Sequence, residues 1–213
     1  MKRITFRGPF AVTTANGFFV YMELCFATNN QHKLDEVAGQ LGNTFTLKTL
    51  RDIDCTDELP ETTGTIAGNS RQKADYVWTK FGVSCFADDS GLEVAALNGE
   101  PGVDSAYYSG SRDFGKNIRK LLGNLDGNSN RKAQFVTVFT LVLHGVEHQF
   151  EGVIEGQILQ EPRGTGGFGY DPVFLPDGYN RTFAEMSIDE KNGISHRSRA
   201  LAKMVAYLEQ QLH

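Results

Sequence analysis

Two aspartates, Asp88 and Asp89, stand side by side after the apolar run 83–87 and before Ser90-Gly91. Neighbouring carboxylates repel, so they point apart or share a cation. Hard oxygen ligands suit magnesium, which takes one or two carboxylates and completes its shell with water and substrate phosphate. Upstream, Asp57, Glu58 and Glu61 offer a second ligand, with Glu61 a candidate that spacing alone does not select. A solvent-facing turn is the competing reading, because Asp, Ser and Gly are common turn residues.

Three further segments carry possible chemistry. Thr28-Asn29-Asn30-Gln31 is a polar loop between a strand-like run, 23–27, and a helical pattern. Such a loop offers free backbone N–H groups and the positive end of a helix dipole, which suits phosphate. Lys33 falls in the first turn of that helix, where a cation is disfavoured unless an anion binds beside it. The alternative is a solvated lysine, with Thr28 or Asn29 capping the helix. No G-x-x-x-x-G-K-[ST] occurs, so this is not a P-loop. The loop 164–172 holds four glycines in six residues, Gly164 to Gly169, and carries Phe168 and Tyr170. Glycine lets backbone approach a ligand, and either ring could stack on a planar base. Lys191 and Ser195-His196-Arg197 bring three potential cations to one helix start.

The elements that must position these residues follow from periodicity. Leu34, Val37, Ala38 and Leu41 recur at helical spacing, with Gly42-Asn43 as the stop. A looser stretch runs to Gly64. Ala74, Val77, Trp78 and Phe81 mark the buried face of a helix over 66–81, ended by Gly82. A strand over 83–87 leads into Asp88. Ile118, Leu121, Leu122 and Leu125 define a helix over 117–125. Residues 133–143 are β-rich on both faces, as in a central strand, and His144-Gly145 turns them into a hairpin with 146–154. A last helix begins near Ser195, with Leu201, Met204, Val205, Leu208 and Leu212 on one stripe. Strands alternating with helices, plus a hairpin, indicate an α/β fold on a mixed central β-sheet flanked by helices. Two lobes with the active-site cleft between them are expected, the chemistry sitting where loops leave the strand ends.

Composition sets the outer limits. The 213 residues are 40% hydrophobic and 22% charged, with a net charge of −5, which argues against a duplex nucleic-acid partner. Cys25, Cys55 and Cys85 form no C-x-x-C, and their odd number at wide spacing excludes a disulfide framework and fits a reducing cytoplasm. His144 and His148 are four apart but flank a Gly in strand-like sequence, which is poor metal spacing. No apolar run nears the roughly 18 residues that span a bilayer. Residues 1–21 lack the apolar core and cleavage site of a secretion signal and are read as an N-terminal extension. The functional domain is expected over 22–213.

Taken together, these segments resemble the inosine/xanthosine triphosphate pyrophosphatase family. The resemblance runs from about Met22 to the C-terminus. It rests on Thr28-Asn29-Asn30-Gln31-His32-Lys33, Ala87-Asp88-Asp89-Ser90-Gly91-Leu92, Gly166-Gly167-Phe168-Gly169-Tyr170-Asp171-Pro172, and Lys191 followed by Ser195-His196-Arg197. It implies hydrolysis of deaminated purine triphosphates (ITP, dITP, XTP) to the monophosphate and pyrophosphate, with Mg2+, by a homodimer. By the same resemblance, the loop Thr28, Asn29, Asn30, Gln31, His32 and Lys33 grips substrate, with Lys73 contributing to the polyphosphate site and Ser90 touching substrate. Asp89 is implied as general base and metal ligand, and Glu61, shortly before Gly64, as the other metal ligand. Phe168, Gly169, Tyr170, Asp171, Lys191, His196 and Arg197 are implied to hold the base. Dipole logic alone would send phosphate to His196 and Arg197; the resemblance assigns them to the purine. In one departure, Tyr107 stands where many bacterial relatives carry an Arg, which leaves that role vacant or taken by Arg112.

The implied reaction is attack of water on the α-phosphorus, which requires positioning and charge neutralisation. An Asp beside a cation has a low pKa, so Asp89 is expected to orient water more than to deprotonate it. An aspartyl-phosphate phosphatase fits poorly, since those enzymes usually space two aspartates as D-x-D. Cleavage of modified pyrimidine triphosphates is a related alternative. A non-catalytic nucleotide sensor would need no metal to activate water.

Overall fold

A computed structural model describes residues 22–41 and 45–211. The extension 1–21, the Gly42-Asn43 helix stop and Leu212 lie outside the described residues. In chain order the elements are β1 (Met22–Phe26), α1 (Gln31–Ala38), β2 (Phe45–Lys48), α2 (Ile66–Phe81), β3 (Cys85–Val94) and β4 (Pro101–Gly102). They continue with α3 (Phe114–Asn124), β5 (Lys132–Leu143), β6 (Val146–Ile158), β7 (Phe174–Pro176), α4 (Ile188–Asn192) and α5 (His196–Gln210).

Among the described residues, seven strands form one sheet in the order β2-β1-β3-β5-β6-β7, with β4 on β3. β1 runs parallel to β2 and β3, and the other pairings are antiparallel, so the sheet is mixed. β5 is central and almost wholly buried. His144 (φ 52°) and Gly145 (φ 85°) make the two-residue hairpin turn into β6, both in the left-handed region that this turn demands.

The long strands β3, β5 and β6 run through three hydrophobic clusters, two at one end and one at the other. One end carries Phe26, Phe86, Phe139 and Leu141, which pack against α1 and α5. On the opposite face Cys25, Ala27, Cys85 and Ala87 pack against Ala74 and Val77 of α2. The far end, through Leu92, Phe135 and Ile154, meets Ile118 and Leu121 of α3 together with Phe174 and Phe183. These are the two expected lobes.

Helix α2 matches its expected span, and Gly82 closes it in the left-handed conformation. Several boundaries differ from the sequence reading, among them the start of α3 at Phe114 instead of 117. α1 ends at Ala38, short of Leu41. β6 continues to Ile158, because β7 pairs with its far end. β3 does not stop at Ala87 but continues through Asp88-Asp89-Ser90-Gly91 to Val94. The polar motif therefore lies mid-strand, held by unbroken pairing to β5, with Asp88 opposite Phe139 and Asp89 opposite Val138. Turn-forming residue types were overridden by this long-range pairing. β2 and α4 lie in stretches the periodicity had not resolved.

Candidate active site

Successive side chains on a strand point to opposite faces of the sheet. Phe86 faces α1 and α5, so Asp88 does too. Ala87 faces α2, so Asp89 does too. This two-residue period separates the neighbouring carboxylates without any cation.

Asp88 is buried and accepts hydrogen bonds from Lys33 Nζ (2.9 Å), Arg197 Nε (3.2 Å) and Ser90 Oγ (3.3 Å). Desolvation pushes its carboxyl upward, but the charges of Lys33, Arg197 and Lys73 outweigh that, so it stays ionised well below the usual range. Lys33 is thus an ion-pair partner rather than a solvated lysine. Asn30, not Thr28 or Asn29, caps α1, its carboxamide accepting from the His32 and Lys33 backbone.

Arg197, only 1% exposed, sits in the first turn of α5. Gly152 of β6 allows this: a Cβ there would lie 2.1 Å from the His196 carbonyl oxygen, so only glycine lets the helix start this close to the sheet. Besides Asp88, Arg197 donates to Ser90 Oγ (3.1 Å) and to Glu36 of α1. Glu36 also accepts from Lys191 Nζ (2.8 Å), and Lys191 donates in turn to Asp171 (2.7 Å). Glu36 went unrecognised in the sequence. It adjoins Val37 on an ordinary amphipathic turn, and nothing local marks a glutamate that pairs with residues more than 150 positions away. His196 stacks on Phe135 with ring centroids 4.7 Å apart. Burial, aided by the Arg197 and Lys191 charges, drives its pKa well below the ordinary value. It is neutral, so two of the three potential cations at this helix start remain.

On the α2 face, Lys73 contacts Glu61 and lies 3.6 Å from Asp89 Oδ1. Asp57, by contrast, pairs with Lys80 at the surface. Desolvation would raise the Glu61 carboxyl, but the charge and hydrogen bond of Lys73 hold it below the usual range. For Asp89 desolvation wins, and its carboxyl is raised despite Lys73 and Lys33. The expected low pKa belongs to the carboxylate beside a bound cation. The Asp89 Oδ2 atom is buried with no hydrogen-bond partner. Among the described residues no three His, Cys, Asp or Glu side chains gather to hold a metal. Two carboxylates, one with an unmatched buried oxygen, nonetheless suit a cation that takes the rest of its shell from water and phosphate.

These groups converge on one cavity of about 390 Å³ between the lobes, within the usual range for small-molecule sites. Thr28, Asn29, Asn30, Lys33, Glu61, Lys73, Asp89, Ser90, Phe168, Gly169, Tyr170, Asp171, Lys191, His196 and Arg197 line it. Gln31 and His32 do not. Gln31 bonds Asp35 at the surface (2.8 Å), and His32 stacks on Phe168 with centroids 5.1 Å apart. Their helical phase turns them away, which loop residues read as a string could not reveal. Tyr170 is buried with its hydroxyl donated to the Ser105 carbonyl, so Phe168 is the better placed ring for a base. Arg112 and Phe114, beside the start of α3, complete the wall.

A model of the Ham1 family matches residues 24–207. The chain belongs to the Ham1 family. It is 48% identical over 188 residues to the dITP/XTP pyrophosphatase of Flavobacterium johnsoniae, covering 88% of this chain and 98% of that one. Identity to the dITP/XTP pyrophosphatase of Porphyromonas gingivalis is also 48% over 188 residues, with 87% and 97% covered. Among solved structures, the Staphylococcus aureus Ham1 protein superposes with a TM-score of 0.82 at 34% identity, over 89% of this chain and 99% of that one. The Mycobacterium abscessus nucleoside-triphosphatase, a dITP/XTP pyrophosphatase, gives 0.72 at 41% identity, with 86% and 98% covered. The mixed sheet and two-lobed cleft are thus a Ham1 fold.

Proposed function

We propose that this Ham1-family chain hydrolyses deaminated purine nucleoside triphosphates (ITP, dITP and XTP) to the monophosphate and pyrophosphate. The observation that carries this is the buried, unpartnered Oδ2 of Asp89, beside Glu61 and Lys73 and in the same cavity as an aromatic ring and a set of hydrogen-bond donors. The names of its relatives as dITP/XTP pyrophosphatases support the same reading.

Asp89 and Glu61 are the residues to hold Mg2+. When bound, the ion would neutralise phosphate charge and lower the pKa of water. Asp89 then orients the attacking water, while Lys33 and Lys73 counter the charge of the phosphates. Phe168 supplies the stacking face. Lys191 has three N–H donors, of which two go to Glu36 and Asp171; Arg197 has five, of which three are committed. Those that remain are donors only. They match the 6-oxo acceptor of hypoxanthine or xanthine and oppose the 6-amino group of adenine. Mismatches of this kind can discriminate by orders of magnitude.

The enzyme is further inferred to act as a homodimer in the cytoplasm. The three cysteines, all free and buried, fit a reducing compartment. Among the described residues no helix is long and apolar enough to cross a membrane. A panel of nucleoside triphosphates with Mg2+, separating pyrophosphate from orthophosphate, tests the reading. ITP and XTP should exceed GTP, with GTP at or above ATP. Orthophosphate as the first product would overturn it.

A further inference from the structure

The side of β5 that faces α5 carries Ala133, Phe135, Thr137, Phe139, Leu141 and Leu143, and is apolar except at Thr137. On either side of that residue, Phe135 stacks on His196 and Phe139 packs with Phe26 and Phe86. Thr137 is fully buried and lies across the strand pair from Ser90, with the two hydroxyl oxygens 2.6 Å apart. Burying a hydroxyl costs free energy unless it is hydrogen-bonded. A valine would cover the same strand position without that cost. What the threonine adds is its bond to Ser90.

Counting protons fixes the direction of that bond. A hydroxyl carries one proton and accepts at two lone pairs. Among the described residues the Thr137 hydroxyl has no partner other than Ser90, so Ser90 Oγ is the acceptor open to its proton. The reverse direction would leave the Thr137 proton buried without an acceptor, which is costly. The second lone pair of Ser90 takes Arg197 Nη2 (3.1 Å), a group that can only donate. With both lone pairs filled, Ser90 can only donate as well. Its proton points to Asp88 Oδ2 at 3.3 Å, a long contact for O–H···O. That carboxylate oxygen keeps Arg197 Nε (3.2 Å) when the proton turns away. Ser90 lines the cavity, so an oxygen of a ligand there can take the proton instead.

We propose that Thr137 is a positioning residue that makes the Ser90 hydroxyl a donor only, aimed at an oxygen of the bound nucleotide. This rests on the nucleoside triphosphate reading given above. The oxygen belongs to the outer phosphates or to the monophosphate part, and either is an acceptor that such a donor fits. Thr137 itself does not line the cavity and acts through Ser90 alone.

The test is calorimetric binding of inorganic tripolyphosphate and of IMP, alongside ITP kinetics, for wild type, Thr137→Val, Thr137→Ser, Ser90→Ala and the double variant Ser90→Ala with Thr137→Val. Thr137→Val should weaken at least one of the two ligands and raise KM for ITP by about fivefold, the scale of one neutral hydrogen bond. The kcat should stay within about twofold. Thr137→Ser keeps the hydroxyl and should bind as wild type does, although either change to this buried residue should lower Tm by roughly 2–4 °C. In the Ser90→Ala background Thr137→Val should change binding no further, because the hydroxyl it orients is gone. A loss with tripolyphosphate places the accepting oxygen on the outer phosphates, and a loss with IMP alone places it on the monophosphate part. Wild-type affinity for both ligands in Thr137→Val would overturn the proposal. An equal loss in Thr137→Ser, or a full further loss without the Ser90 hydroxyl, would overturn it too. Binding that depends on the Thr137 hydroxyl in an enzyme that releases orthophosphate would leave this role standing and sink the reaction instead.

Discussion

Replacing Asp88 by Asn, and separately Asp89 by Asn, should have opposite consequences although the two residues are adjacent. Asp88 is the buried anion between Lys33 and Arg197. Its neutralisation leaves two buried cations short of a partner. Breaking a buried pair on one side costs about 3–5 kcal/mol. At roughly 2–4 °C per kcal/mol for a chain of this size, Tm should fall by about 6–20 °C. Asp89 has one oxygen without a partner, and burial already raises its pKa, so the fold disfavours its charge. Asp89→Asn should leave the metal-free Tm unchanged or raise it slightly, while turnover with Mg2+ falls by well over about tenfold. The pH dependence separates them further. A depressed folded pKa stabilises above the unfolded value and loses that contribution as pH drops through the folded one. The gap between wild type and Asp88→Asn should therefore be full at neutral pH and begin to close below about pH 4. For Asp89, with its pKa raised, the penalty exists only where the unfolded carboxyl is ionised and vanishes in acid. Differential scanning calorimetry across pH, with pyrophosphate release on the same samples, reads both. Equal destabilisation, or a greater loss of Tm from Asp89→Asn, would refute the assignment of the two carboxylates to opposite faces.

Other expectations follow from the same geometry. Phe168→Ala should raise KM for ITP by about tenfold, the scale of one base–aromatic stack; an unchanged KM would place the base elsewhere. Arg197→Ala should lower Tm by an amount comparable to Asp88→Asn, since it removes one of the two cations that each of Asp88 and Glu36 pairs with and leaves both carboxylates buried. The ITP-to-ATP preference should narrow in whatever fraction remains folded, and equal loss for both substrates would limit Arg197 to supporting the fold. A chain starting at Met22 should match the full chain in pyrophosphate release, since every proposed site residue follows it; a large deficit in folded protein would assign residues 1–21 a part in the site.

Much of this protein was legible in one dimension. Helix α2, the hairpin at His144-Gly145 and the start of α5 near Ser195 follow from local periodicity and turn chemistry, which act over a few residues. The segments that build the cleft also stood out, because several stretches suited to phosphate, metal or base fall in one chain. Their order matched a family pattern, which carried the reaction class. What the string could not supply was direction. Whether Asp88 and Asp89 share a cation or part company depends on the motif being a strand, and that was decided by ten residues of pairing with β5. Burial, set by distant elements, made His196 neutral and raised the Asp89 pKa despite the charges of Lys73 and Lys33. Glu36 became the anchor of Lys191 and Arg197 only because α1 and α5 pack on the same face of the sheet. Residue type and spacing name the candidate groups. Which of them meet, and in which charge state, is settled by contacts between residues far apart in the chain.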